Sequence, residues 1–361
     1  MNTAVMNPTV FSELAERWQA LLRDNSKLRI RNAAEELGVS EAELLSTRIG
    51  QGVVRLQNDA KKLIAAVESL GTVMALTRND GMVHEKTGQY KDVSIHGNMG
   101  LALGVIDLRI FFTRFNHAFA VEESGEHGVR HSLQFFAANG EAVHKIYATD
   151  DTDMAAFNEL VQSFRADDQT PGLTLDAELI DKQKPADCLA VPADLDVPQL
   201  RHDWSELKDV HHFQAMLNKH GIERIPAYER IGADYAQRLD NDAFESALTL
   251  AADAQLPVMI FVGSTGVVQI HTGTIHKLLR TGPWFNILDP GFNLHANTTL
   301  IDQVWLVRKP TTDGVVSSLE MFDRNGRQLA LLFGERKPGK PELEGWRELL
   351  NQLLARHVRT A

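Results

Sequence analysis

The sequence predicts an α+β fold made by internal duplication: two repeats of antiparallel β-sheet, each with flanking helices. Residues 73–88 lie against 258–273 at an offset of 185, with six of 16 positions identical; unrelated segments of ordinary composition share about one. Residues 132–140 lie against 318–326 at an offset of 186 with five of nine identical, and 100–109 follows 286–295 more loosely at the same offset. The matched segments also read as strands, because β-branched and aromatic runs alternate with glycine-bearing turns.

Taken in order, helices at 9–24, 29–37, 41–46 and 59–69 precede the first sheet. Ser40-Glu-Ala-Glu43 has the spacing of a capping box. Strands follow at 101–107, 110–121, 130–136 and 141–147, then a helix at 152–164. Residues 166–200 carry turn chemistry (Asp167-Asp-Gln-Thr-Pro-Gly172, Lys182-Gln-Lys-Pro185, Pro192, Pro198) and read as a linker. Helices at 209–219, 225–239 and 242–254 open the second repeat. A hairpin pairs 258–262 with 267–271 about Gly263-Ser-Thr-Gly266. A meander runs through 302–308, 315–322 and 327–333, turning at 309–314 and 323–326. A helix at 342–358 ends the chain. The expected organisation is a first half at 1–165, a linker at 166–200 and a second half at 201–361. Two duplicated sheets create one cleft between non-equivalent faces, a natural place for a ligand.

Composition narrows the function. Hydrophobic residues make up 43% of the 361 and charged residues 24%, an ordinary globular balance. The net charge of −11 opposes binding to phosphate backbones or anionic membranes. One cysteine, Cys188, excludes an internal disulfide framework and a cysteine-built zinc or iron–sulfur site. No apolar run reaches 18 residues, and the first residues lack a basic start followed by an apolar stretch, so a cytoplasmic location is expected. No nucleophile elbow, phosphate loop, zinc-protease helix or dinucleotide fingerprint occurs.

Histidine is the informative residue, with 14 present. His127 and His131 are four apart in a strand context with an intervening glycine, a poor metal pair. His271 and His276 flank a hairpin end and read as surface or core residues. His295 occupies the position that Arg109 holds in the first repeat; the two basic groups either converge on the cleft or are paired structurally. His211 and His212 open the helix after Asp209, whose packing stripe is Val210, Phe213 and Leu217. A histidine at a helix start is a surface or capping residue on one reading and a ligand on the other.

The segments Tyr147-Ala-Thr-Asp-Asp-Thr-Asp-Met-Ala-Ala156, Asp209-Val-His-His-Phe213, Val267-Val-Gln-Ile-His-Thr-Gly273, Trp284-Phe-Asn-Ile287, Phe292-Asn-Leu-His295, Val307-Arg-Lys-Pro-Thr-Thr-Asp-Gly314 and Ser318-Leu-Glu-Met-Phe322 together resemble the bacterial cytoplasmic hemin-transport and hemin-degrading proteins of the HemS/HmuS type. The resemblance covers nearly the whole chain. It implies two sheet repeats holding one noncovalent heme b between the halves, with His211 as axial iron ligand and Arg109 on the distal side, directly or through water. It places Phe111 and Phe261 on the pocket walls, and Arg224, Lys309 and Arg336 at the propionates or their exit. Where the family usually has Tyr-Gly-x-Arg, this chain has Phe333-Gly-Glu-Arg336, which removes a phenolic hydrogen bond, and His212 is an extra histidine beside the ligand. The implied function is a carrier that receives heme from an importer and passes it on, to a heme oxygenase for example. The alternative is an enzyme that opens the porphyrin oxidatively, with Arg109 as its catalytic distal residue. An imidazole for iron, apolar walls for the ring and cations for two carboxylates are what heme requires. The absence of C-x-x-C-H makes any heme exchangeable.

Overall fold

The computed structural model describes residues 8–125, 128–182, 187–337 and 339–359. His127 and the Lys184-Pro185 step of the expected linker lie outside them. Strands and helices are numbered in chain order.

Two nine-stranded antiparallel sheets form the fold. The first runs β1 (Val53–Arg55), β7 (His117–Gly125), β8 (Gly128–Phe136), β9 (Ala142–Thr152), β2 (Gly71–Arg78), β3 (Met82–Gln89), β15 (Phe292–Asn297), β14 (Trp284–Asp289), β13 (Leu278–Thr281). The second runs β10 (Ala236–Leu239), β16 (Gln303–Thr311), β17 (Gly314–Phe322), β18 (Gln328–Gly334), β11 (Val258–Gly263), β12 (Val267–Gly273), β6 (Asp107–Phe111), β5 (Met99–Ala102), β4 (Ser94–His96). Strand for strand the second order repeats the first, as duplication requires. Pairing agrees to the residue: Val121 lies opposite Ser132 as Val307 lies opposite Ser318, and Met74 opposite Tyr147 as Met259 opposite Phe333. The turns after β8 and β17 both carry Asn-Gly, and Gly140 (φ 76°) and Gly326 (φ 74°) take the left-handed backbone that favours glycine.

The chain forms two compact units: residues 1–78, 85–184 and 264–268, and residues 79–84, 185–263 and 269–361. In unit 1, α1 (Pro8–Asp24), α2 (Ile30–Leu37), α3 (Glu41–Ser46), α4 (Ala60–Ala66) and α5 (Met154–Ser163) accompany the strands, and α6 (Ala177–Lys182) follows. Ser40 and Glu43 form the expected capping box. Leu63, Ile64 and Leu160 share a buried cluster with Val73, Ala75, Leu133, Phe135 and Ile146, each large aliphatic contributing about 1.5–3 kcal/mol by leaving water.

Unit 2 adds α7 (Val197–Ser205), α8 (His212–Lys219), α9 (Arg224–Ile231), α10 (Ala243–Asp253) and α11 (Glu344–His357). Phe244 and Leu248 of α10 and Trp346 and Leu350 of α11 share a core with Val258, Ile260, Leu306, Leu319 and Leu332. A second core gathers Trp204, Phe213, Leu217, Tyr228 and Trp305; it fixes α7, α8 and α9, the helices that carry the site.

Several expected elements differ. The strand read over 101–107 is instead the end of β5, at Ala102, and the start of β6, at Asp107, and the expected linker holds α6 and the start of α7. The helix read over 225–239 ends at Ile231, because Gly232 (φ 100°) leaves helical geometry, and 236–239 pairs with β16 as an edge strand. The strand read over 110–121 is broken by a 3₁₀ turn at Phe112–Arg114. Phe112 and Phe115 are both buried, and their i,i+3 spacing suits that turn rather than strand alternation. The helix read from 209 starts at His212: the Asp209 carboxylate accepts the His211 N–H instead of capping deeper in the helix.

Candidate functional site

Of the expected α8 stripe, Phe213 and Leu217 are buried and Met216 joins them, while Val210 is half-buried and precedes the helix. This leaves the helix start outward, where the His211 side chain is 83% exposed. Its Nδ1 lies 2.6 Å from Asp209 Oδ1, which also accepts the His211 backbone N–H at 2.8 Å. That backbone bond, with the imidazole contact, holds the Asp209 carboxyl below its usual range, so it stays ionised. A carboxylate against Nδ1 leaves Nε2 as the ring nitrogen free of that contact, the arrangement in which an imidazole meets a metal ion. His212 is exposed on the first turn. The other end of α8 is tied down by Lys219 Nζ and His220 Nε2, 2.6 and 2.8 Å from Asp203 of α7.

Beneath α8 sits a cluster of charge. Glu320 of β17 has no exposed surface. Its carboxylate accepts from Lys309 Nζ (2.6 Å), Tyr228 Oη (2.6 Å), Ser318 Oγ (2.8 Å) and Arg224 Nη1 (3.1 Å). Burial alone would raise its pKa; Lys309 and Arg224 outweigh that and hold it at about 2. Lys309 is 3% exposed, and burial lowers its pKa against the pull of Glu320. Arg224 is shifted the other way, burial being outweighed by Tyr228 and Glu320. Both cations also lie over the Phe213 ring, Lys309 Nζ at 4.5 Å and Arg224 Cζ at 5.2 Å from its centroid. Phe261 meets Phe333 edge-on at 5.3 Å, and Lys309 is 5.9 Å from the Phe333 ring. Arg336 differs from its neighbours: its Nε is buried, and no described residue accepts from it.

Unit 2 therefore gathers Arg224, Phe261, Lys309 and Arg336 around Phe333 and Glu320, with His211 two residues before Phe213. In unit 1, Arg109 is half-buried, paired with Asp107, and donates to the Leu108 carbonyl at 3.2 Å. Phe111 is 37% exposed and stands opposite Met99, while Arg109 stands opposite Leu101. Directly opposed residues share a face of an antiparallel pair, so Arg109, Phe111, Met99 and Leu101 form one surface. Among the described residues no group of three or more His, Cys, Asp or Glu could hold a bare metal ion.

Sequence reading missed Glu320. A carboxylate alternating into the buried face of a nine-residue strand was the available signal, and Gln134 at the equivalent position of the first repeat masked it.

The family model for the haemin-degrading HemS.ChuX domain matches this chain twice, over residues 38–164 and 221–353. The chain is a member of the HemS.ChuX family. It is 40% identical to the hemin transport protein HmuS of Yersinia pestis over 330 residues, 91% of this chain and 93% of that protein. The HemS.ChuX fold seen here is similar to crystalline holo-PhuS, a heme-binding protein from Pseudomonas aeruginosa (43% identity, TM-score 0.90, 95% and 99% of the two chains). It is also similar to the heme degrading enzyme ChuS of Escherichia coli O157:H7 (35% identity, TM-score 0.87, 95% and 99%).

Proposed function

We propose that this protein binds one heme b noncovalently and carries it within the cytoplasm. The observation that carries the reading is the exposed His211 imidazole, held by Asp209 through Nδ1, in the unit that also holds a cluster of cations suited to two carboxylates. His211 ligates the iron, Phe261 and Phe333 offer apolar wall, and Arg336 and the outer edge of Arg224 receive the propionates. Arg109 and Phe111 serve the opposite face of the ring in this reading. A single protein imidazole on iron favours transfer, since one ligand exchange frees the cargo. An importer would supply the heme and an oxygenase would receive it. Related proteins support heme as the ligand: one is a hemin transport protein and another a heme-binding protein. No helix among the described residues is long and apolar enough to cross a membrane.

The similarity to a heme degrading enzyme supports a second reading, oxidative opening of the porphyrin as substrate. Arg109 would then stabilise developing negative charge on the distal side. One assay separates the two. The ferric complex is incubated with an electron donor and oxygen, with and without catalase, and carbon monoxide and tetrapyrrole products are measured. A carrier gives only decay that catalase abolishes. Carbon monoxide with one defined tetrapyrrole in the presence of catalase would establish the enzyme.

A further inference from the structure

Glu320 and its partner Lys309 are the charged groups of the cluster that the heme reading leaves without a task. Glu320 is also the best-connected group there. The carboxylate pairs with Lys309 and Arg224, and Arg336 lies close enough to Lys309 to act on it, so one anion is set among three cations, an excess of two positive charges, the charge a dicarboxylate neutralises. The four groups differ in what they can still do. Lys309 is sealed in, donating to Glu320 and to Ser318 Oγ at 3.2 Å. Arg224 gives Nη1 to Glu320 and to Tyr228 Oη (3.2 Å), while Nη2 reaches only Gln214 Oε1 of α8, at 3.5 Å. A guanidinium is a rigid fork, so fixing one edge aims the other.

The first repeat shows what the same frame does without this carboxylate. Gln134 stands for Glu320, Asp150 for Arg336 and Tyr147 for Phe333, all at the offset of 186. At the start of the helix before the edge strand, Glu41 stands where unit 2 has Arg224, and it is committed to two buried cations, Lys145 and Arg78. There the helix supplies the acid and the sheet the bases. The half-buried position of Arg336 in the second repeat carries a negative charge in the first, the exposed Asp150. Only the second repeat presents outward cations held by an inward anion.

We propose that Glu320 is the positioning residue for the carboxylates of heme: it anchors the inner edge of Arg224 and absorbs the charge of Lys309, so that Arg224 and Arg336 together meet the two propionates. The proposal rests on the heme reading above.

Hemin and hemin dimethyl ester, whose carboxylates are blocked, distinguish positioning from mere support. Both are titrated by Soret absorbance into the wild-type protein, Glu320→Gln, and the double variant Glu320→Gln/Lys309→Met. The double variant removes the buried pair together, so Lys309 is not left as an unpaired charge in the interior. Wild type binds hemin roughly 100-fold more tightly than the ester, about tenfold for each charge-assisted contact. Both variants lose about tenfold for hemin, keep the ester affinity and keep the Soret position of the ligated iron. Variants that weaken hemin and ester equally, or weaken neither, overturn the proposal. A wild-type protein that shifts the Soret band of neither compound overturns the heme reading itself.

Discussion

His144 shows what burial does to a single side chain here. It is 1% exposed, with Nδ1 2.8 Å from Thr77 Oγ1 and Nε2 2.5 Å from Tyr90 Oη. Burial pushes its pKa down from 6.5 to about 3, and burial with the nearby Arg55 pushes His117 down to about 4. Both are neutral when folded, so the unfolded chain takes up protons first as the pH falls. Their contribution is whole above pH 6.5 and is lost as the pH drops towards the folded values. The expected loss is roughly 2 kcal/mol for each histidine by pH 5. Glu320 acts in the same direction below 4.5, because its folded value is about 2. Urea unfolding at pH 7, 6 and 5 measures this, and a midpoint that does not move would contradict it. None of these shifts was legible in the sequence, where all 14 histidines look alike; only the depth of a strand residue below the surface separates His144 from His211. The types and spacing at Asp209-Val-His-His-Phe213 were legible, while Arg224, Lys309 and Arg336 were picked out only through the resemblance to the family. That the first two serve a buried carboxylate was not legible, since Glu320 lies far from Arg224 in sequence.

At the scale of elements, the tetrapeptide Phe333-Gly-Glu-Arg336 carries packing as well as chemistry. A Cβ on Gly334 would lie 2.6 Å from Trp346 Cβ and 2.7 Å from its Cγ, both on α11. The first repeat has Ala148 there, without that helix against it. Gly334→Ala is therefore expected to destabilise the protein by about 1–3 kcal/mol through overpacking, read as a lower urea midpoint at unchanged slope. No change in midpoint would show that α11 shifts freely away from β18. The meander and the β11–β12 hairpin were legible because alternation and Asn-Gly or Gly-Ser-Thr-Gly turns mark them strongly. Short edge strands such as β10 were not. Four residues hold too little periodicity to be told from the end of a helix, and Gly232 was the only local sign that the backbone changes there.

Over the whole molecule, duplication was the most legible property, because two copies of one frame leave the same register in the sequence. The asymmetry laid on it was not: Arg336 against Asp150 and Arg224 against Glu41 reverse the charge of matching positions, and Glu320 against Gln134 adds one, while the strands stay in step. This predicts one heme per chain, its iron ligated from the second repeat, although the frame occurs twice. The most direct test is a hemin titration of wild type, His211→Ala and His212→Ala, followed by Soret absorbance. The account predicts saturation at one equivalent, loss of the Soret shift and of tight binding in His211→Ala, and little change in His212→Ala. An unaltered spectrum in His211→Ala would contradict it.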